Sequence, residues 1–132
     1  MNKIYLFIPF LFLLIFSGCP TNTVFAGKTY SGTLTQNSSY DSSIYWDSYM
    51  LYCSGTWQFT FNSKDNVDIY LEGVEPVTRK IKINDLHANF GSNTVTAQLS
   101  GFTEIDICVK ANSTDWMNNG YIAGYYFSAV LK

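Results

Sequence analysis

The chain has one histidine, one arginine, three prolines and three cysteines in 132 residues, and only 14% of it is charged. Each shortage closes off a class of function. Two downstream cysteines and the lone His87 supply neither the ligands nor the spacing of a zinc site. Acid–base or nucleophilic catalysis needs tuned groups within reach of one another, and one histidine with scattered carboxylates gives it little to build from. His87 could assist a serine such as Ser92, but it reads as a surface-loop histidine, and the chain reads as a non-enzyme. Eight Lys and Arg stand against ten Asp and Glu, for a net charge of -2, so the basic stripe of a nucleic-acid binder is missing. The densest basic run, Arg79 to Ile83, alternates with isoleucine and reads as the solvated face of a strand. No repeat of solenoid period is present.

What is there begins with a leader. Met1, Asn2 and Lys3 precede an apolar run from Ile4 to Phe16, the charged start and short greasy core of an export signal. That core falls short of the roughly 20 apolar residues a transmembrane helix needs, and it contains Pro9. Two cuts compete. Val24-Phe25-Ala26 before Gly27 suits an ordinary signal peptidase, giving a signal peptide of residues 1–26 and a soluble chain that is secreted or periplasmic. Phe16-Ser17-Gly18-Cys19 resembles a bacterial lipobox, whose cysteine becomes a lipidated N-terminus; residues 1–18 are then the lipoprotein signal and 19–26 a tether. Phe16 departs from the aliphatic residue usual there. Because Ser17 to Cys19 abut the apolar run directly, an envelope lipoprotein anchored through Cys19 is the preferred reading, and that anchor is the sole membrane contact expected.

About 106 to 114 residues remain beyond either cut, which is one domain, placed at 27–132. Short runs of Val, Ile, Thr, Tyr and Phe alternate with polar residues and recur between turn-forming clusters, the pattern of an all-β protein. The expectation is a two-layer antiparallel β-sandwich, jelly-roll-like, of about eight strands: Lys28 to Thr35, Ile44 to Tyr52, Thr56 to Asn62, Val67 to Glu72, Val77 to Ile83, Asn93 to Leu99, Glu104 to Lys110 and Tyr121 to Leu131. No helix is expected in it. The stretches Asn37 to Ser43, Asn62 to Asn66, Asn89 to Asn93 and Asn112 to Gly120 read as turns. Cys53 and Cys108, an even pair in an oxidising compartment, read as one disulfide worth about 4 kcal/mol by loop entropy.

In chain order Gly32 and Leu34; Asp47, Tyr49 and Leu51; Gly55; Asp68, Tyr70 and Leu71; Gly101, Phe102 and Ile105; and Gly124 to Phe127 resemble the bacterial pre-peptidase C-terminal domain, over Tyr30 to Leu131. The resemblance implies a compact jelly-roll-like sandwich and a non-catalytic accessory module of exported enzymes, sometimes binding collagen, polysaccharide or calcium. The chain departs from that family in carrying no enzyme domain and no acidic N-terminal stretch; the cysteine pair is not a family hallmark. A fainter likeness, in "YMLYCSGTWQFTF" followed by "VDIYLEG", is to envelope lysozyme inhibitors, although Glu104 stands where their inhibitory motif has tyrosine.

Aromatic residues make up 17% of the chain. Tyr45, Trp46, Tyr49, Trp116 and Tyr121 are candidate ligand contacts, since tyrosine and tryptophan give broad contact area with a polar tip. Around Trp46 two strand phases compete. One buries Ile44, Trp46 and Met50; the other, which the family resemblance implies, buries Tyr49 and Leu51 and exposes Trp46. Asp65 with Asp68, or Asp41 with Asp47, are the carboxylate pairs that a calcium ion could use, without the spacing of a dedicated loop. The expected function is a non-catalytic binding module for protein or glycan. The alternatives are a surface-assembly protein pairing by sheet edges and an inhibitor of an envelope enzyme.

Overall fold

A computed structural model describes residues 22–88 and 92–132. The leader, Cys19 and the centre of the Asn89 to Asn93 turn lie outside the described residues. Among the described residues the strands are β1 (Thr29–Leu34), β2 (Ser39–Asp41), β3 (Ile44–Leu51), β4 (Gly55–Ser63), β5 (Ile69–Val74), β6 (Ile81–Ala88), β7 (Ser92–Leu99), β8 (Thr103–Lys110) and β9 (Ala123–Leu131), with one short helix, α1 (Thr114–Asn118), before β9. They form a four-stranded sheet, β1-β9-β4-β7, and a five-stranded sheet, β2-β3-β8-β5-β6. Every strand pairing is antiparallel. Leaving β2 aside, the eight long strands place first beside last and third beside sixth in one layer, second beside seventh and fourth beside fifth in the other. That is jelly-roll connectivity.

The layers meet through the apolar phase of each strand. Trp57, Phe59 and Phe61 of β4, with Phe127 and Ala129 of β9, face Ile105, Ile107 and Val109 of β8 and Ile69 and Leu71 of β5 in one core cluster. Alternation dictates this, because a strand with one apolar face can bury it only against a second layer. On β3 the inward set is Tyr49 and Leu51, with Tyr45 packed beside them, so Trp46 points outward. A chain of polar groups also reaches inward. Tyr125 donates its hydroxyl hydrogen to Asp47 at 2.8 Å, and Tyr49, whose oxygen lies 2.8 Å from that of Tyr125, completes the chain.

Four expectations need correction. Strand β6 occupies Ile81–Ala88, not Val77 to Ile83. Glu75 to Lys80 instead makes a closed turn: the Arg79 N–H donates to the Glu75 carbonyl at 2.9 Å, the Glu75 N–H donates to the Lys80 carbonyl at 2.9 Å, and Arg79 takes a φ of 59°. Ser39–Asp41 pairs with Trp46 to Ile44 as a ninth strand, because Ser42 and Ser43 both adopt positive φ and close a two-residue hairpin. Residues 114–118 are helical, with Ser113 as N-cap accepting from the Trp116 N–H at 3.2 Å. The expected disulfide is absent: Cys53 and Cys108 are both free thiols. Cys108 stands opposite Trp46, and Cys53 lies seven residues further along, beyond the end of β3. At about 3.3 Å per residue the two Cα atoms are roughly 20 Å apart, against a limit near 7 Å for a disulfide.

Candidate functional site

The outer face of the five-stranded sheet is polar where the inner face is greasy, and the strand register sorts it into rows. Trp46 of β3, Cys108 of β8 and Tyr70 of β5 form one row, and His87 of β6 extends it. The next row is Ser48, Asp106 and Glu72. A third holds Met50, Glu104 and Val74. Between the β2–β3 hairpin and the β5–β6 turn these rows dip into an open groove of about 170 Å³, lined by Asp41, Ser42, Ile44, Trp46, Glu72, Arg79, Asp106 and Cys108.

Arg79 is the organising cation. Its guanidinium reaches Glu104 at 2.5 Å and Asp106 at 3.1 Å, a fork that its turn conformation aims back over the sheet. Ser48 Oγ lies 2.9 Å from Asp106 and 3.1 Å from Glu104. A single hydroxyl hydrogen serves only one carboxylate at a time. The Asp106 side chain is 3% exposed, and burial, followed by the charge of Glu104, pushes its carboxyl up to about 7; Ser48 and Arg79 pull the other way. Burial and then Asp85 raise Glu72 as well. Beneath them burial pushes the Cys108 thiol up, so it stays protonated and unreactive.

The five aromatic candidates do not converge. Trp46 alone lines the groove. Tyr49 is in the core, edge-on to Phe127 at 4.9 Å. Tyr45, Trp116 and Tyr121 meet at one end of the sandwich, with ring centroids 5.8 and 6.1 Å apart, and Tyr40 lies tilted against Tyr45 at 4.7 Å. Trp116 is 0% exposed and its indole N–H has no hydrogen-bond partner. It is the lid of the core, while Tyr121 shields its edge.

The carboxylate pairs considered for calcium are separated or engaged. Asp65 accepts from the Gly124 N–H at 2.6 Å, whereas Asp68 pairs with His87 Nδ1 at 2.9 Å. Asp41 lines the groove, while Asp47 accepts from Tyr125 beneath the sheet. No group of three or more His, Cys, Asp or Glu that could hold a metal ion occurs among the described residues. None of their helices is long and apolar enough to cross a membrane.

Sequence reasoning passed over Ser48, Glu72, Glu104 and Asp106. Their signal was the off-phase of the strands: Asp106 and Cys108 alternate with Ile105, Ile107 and Val109, so they share the outward face with Trp46. Arg79 could not be placed on that face, because it comes from a turn rather than from strand alternation.

The fold thus defines the protein as an antiparallel jelly-roll sandwich with a polar groove on its five-stranded face. No family model matches the chain, and neither a curated protein nor a solved structure does.

Proposed function

We propose that this domain is a non-catalytic binding module that takes a hydroxyl-rich, sugar-like ligand in the groove beside Trp46. The observation that carries the reading is the outward placement of Trp46 on a concave surface that also holds Arg79 and three carboxyl groups, Asp41, Glu72 and Asp106. A pyranose ring has an apolar C–H face suited to an indole and a rim of hydroxyls suited to carboxylate acceptors and guanidinium donors. Of the three, Asp106 is committed to Arg79 and Ser48, which supports positioning rather than proton transfer. The likeness to the pre-peptidase C-terminal domain supports the same reading. Gly32, Asp47 and Tyr49, three residues of that likeness, each meet a fourth, Tyr125.

A glycan array of neutral, acidic and amino-sugar oligosaccharides, followed by calorimetry on any sugar retained, tests it. Trp46→Ala is expected to weaken binding at least tenfold in a domain that keeps its circular dichroism, and Arg79→Ala to weaken it less. Failure of every sugar to bind, or undiminished binding by Trp46→Ala, overturns the reading.

A further inference from the structure

The outermost strand of a sheet presents unpaired N–H and C=O groups to any other chain, and folds blunt such edges with short strands, charges, bulges or covering segments. This fold does so at most of its own. In the five-stranded layer β2 is short and ends in Asp41. Residues 22–24 cover the β3 edge beyond it: the Met50 N–H donates to the Asn22 carbonyl at 2.9 Å, and the Val24 N–H donates to the Met50 carbonyl at 2.8 Å. At the far side of that layer β6 slips register twice against β5 and carries Lys82 and Asp85. In the four-stranded layer β1 is interrupted by Gly32. Strand β7 has none of these devices. Its sequence, SNTVTAQL, contains no charge, proline or glycine, and its pairing with β4 runs unbroken from Gly55 opposite Leu99 to Asn62 opposite Ser92.

The ladder shows which groups that edge leaves open. In an antiparallel sheet each residue turns its N–H and C=O to the same neighbour, and successive residues alternate. The Lys132 N–H donates to the Thr56 carbonyl and the Lys64 N–H to the Gly124 carbonyl, both at 2.8 Å, so the even-numbered residues of β4 address β9. Trp57, Phe59 and Phe61 therefore address β7 through Ala97, Val95 and Asn93. Ser92, Thr94, Thr96 and Gln98 turn their backbone groups away from β4, where nothing among the described residues pairs with them. On the core side of the same strand Val95 and Ala97 pack against the core but stay partly exposed, because the four-stranded layer stops there.

We propose that β7 is a self-association edge: two copies pair antiparallel through it about a two-fold axis at Val95, joining their four-stranded layers into one continuous sheet. A two-fold contact requires the strand to complement itself. With Val95 opposite Val95 of the second copy, Thr94 faces Thr96 and Ser92 faces Gln98 of that copy, so every backbone group left open by β4 finds a partner. Moving the register by two residues leaves Ser92 or Gln98 unpaired. The side chains agree with the same register. Threonine opposes threonine on the outer face, a favourable cross-strand pair, and no like charges meet. On the inner face Val95 and Ala97 are covered by the copy. The axis stands perpendicular to the sheet, so both Trp46 grooves open on the same side of the dimer.

The full chain is expressed in a bacterial host, purified as the cell leaves it, and followed by analytical ultracentrifugation over a wide range of concentration. A monomer–dimer equilibrium is expected, and amide exchange at Thr94 and Thr96 should slow as the dimer forms. Thr96→Pro removes an N–H that the single copy leaves unpaired, as edge strands tolerate, so the variant is expected to keep its circular dichroism and lose the dimer. Joint Thr94→Lys and Thr96→Lys substitution, on exposed side chains, sets lysine against lysine across the axis and is expected to lose it too. Should Thr96→Pro fail to fold, the lysine variant decides alone. A chain that stays monomeric at every concentration, or a dimer that persists in either folded variant, overturns the proposal.

Discussion

The hydroxyl of Tyr125 lies across Gly32, its cross-strand partner: a Cβ added to Gly32 would stand 2.5 Å from that oxygen and 2.7 Å from the ring carbon bearing it. The glycine is a space requirement, because the tyrosine ring must pass over β1 to put its hydroxyl between Asp47 and Tyr49. Gly32→Ala is expected to cost about 1–3 kcal/mol, the range for overpacking an interior, measured by urea unfolding. Tyr125→Phe, which fills the same space but leaves Asp47 and Tyr49 without their shared partner, is expected to cost about 1–3 kcal/mol by the separate route of unmade hydrogen bonds. A neutral Gly32→Ala would show that the ring moves aside freely.

The two downstream thiols should differ in reach. Cys53 is exposed and Cys108 is buried beneath the groove. In a chain starting at Thr21, a maleimide is expected to label one thiol within minutes under native conditions and the second only after unfolding. Non-reducing mass spectrometry should find no intramolecular bridge. A single oxidised pair in the folded protein would contradict the register that separates β3's end from the middle of β8.

Asp106 makes a prediction in pH. Its carboxyl titrates at about 7 in the folded chain against an ordinary 3.8, so between those values the folded state holds a proton that the unfolded state has released. Stability from this group is therefore present below 3.8 and falls as the pH rises towards 7. Asp106→Asn keeps the size and removes the titration. Its stability relative to the parent is expected to improve steadily from pH 4 to pH 7 and to level off above. Asp115 works in the opposite sense. Burial raises it, but hydrogen bonds from the Ser113 hydroxyl and from the N–H groups of Asp68 and Trp116 outweigh that and hold it below its usual range. Its contribution is present above 3.8 and lost as the pH falls through its lowered value. A difference between parent and Asp106→Asn that does not change with pH would refute the assignment of Asp106.

Trp116 separates volume from hydrogen bonding. Trp116→Ala is expected to cost about 3–5 kcal/mol by leaving a cavity under the end of the sandwich. Trp116→Phe loses less volume and also removes the one buried side-chain N–H without a partner among the described residues, so it is expected to stay within about 1 kcal/mol of the parent. Equal losses in the two variants would mean that the indole nitrogen is satisfied in solution.

The layers of the fold were legible because alternation is a local property. Trp57, Phe59 and Phe61, or Ile105, Ile107 and Val109, declare an inward face whatever their neighbours are. On β3 alternation declared nothing, since both phases are apolar or aromatic, and only pairing with β8 decides that Tyr49 goes in and Trp46 comes out. The Cys53–Cys108 pairing failed for the same reason. Parity in cysteine number carries no distance, and register does. The groove was the least legible part. Arg79 reaches it from a turn whose positive φ no propensity of arginine announces, and Glu72 and Asp106 meet there only through the pairing of β5 with β8.

That order also governs when the molecule can form. The strand that fills the middle of the four-stranded layer, β9, is the last of the described strands in chain order, and its neighbours β1 and β4 come from the early part of the chain. Until it arrives, β1 has nothing to lie against and the layer is two separate pieces. Contacts this distant in sequence make folding slow, so a nascent chain of this connectivity remains open while it is being made.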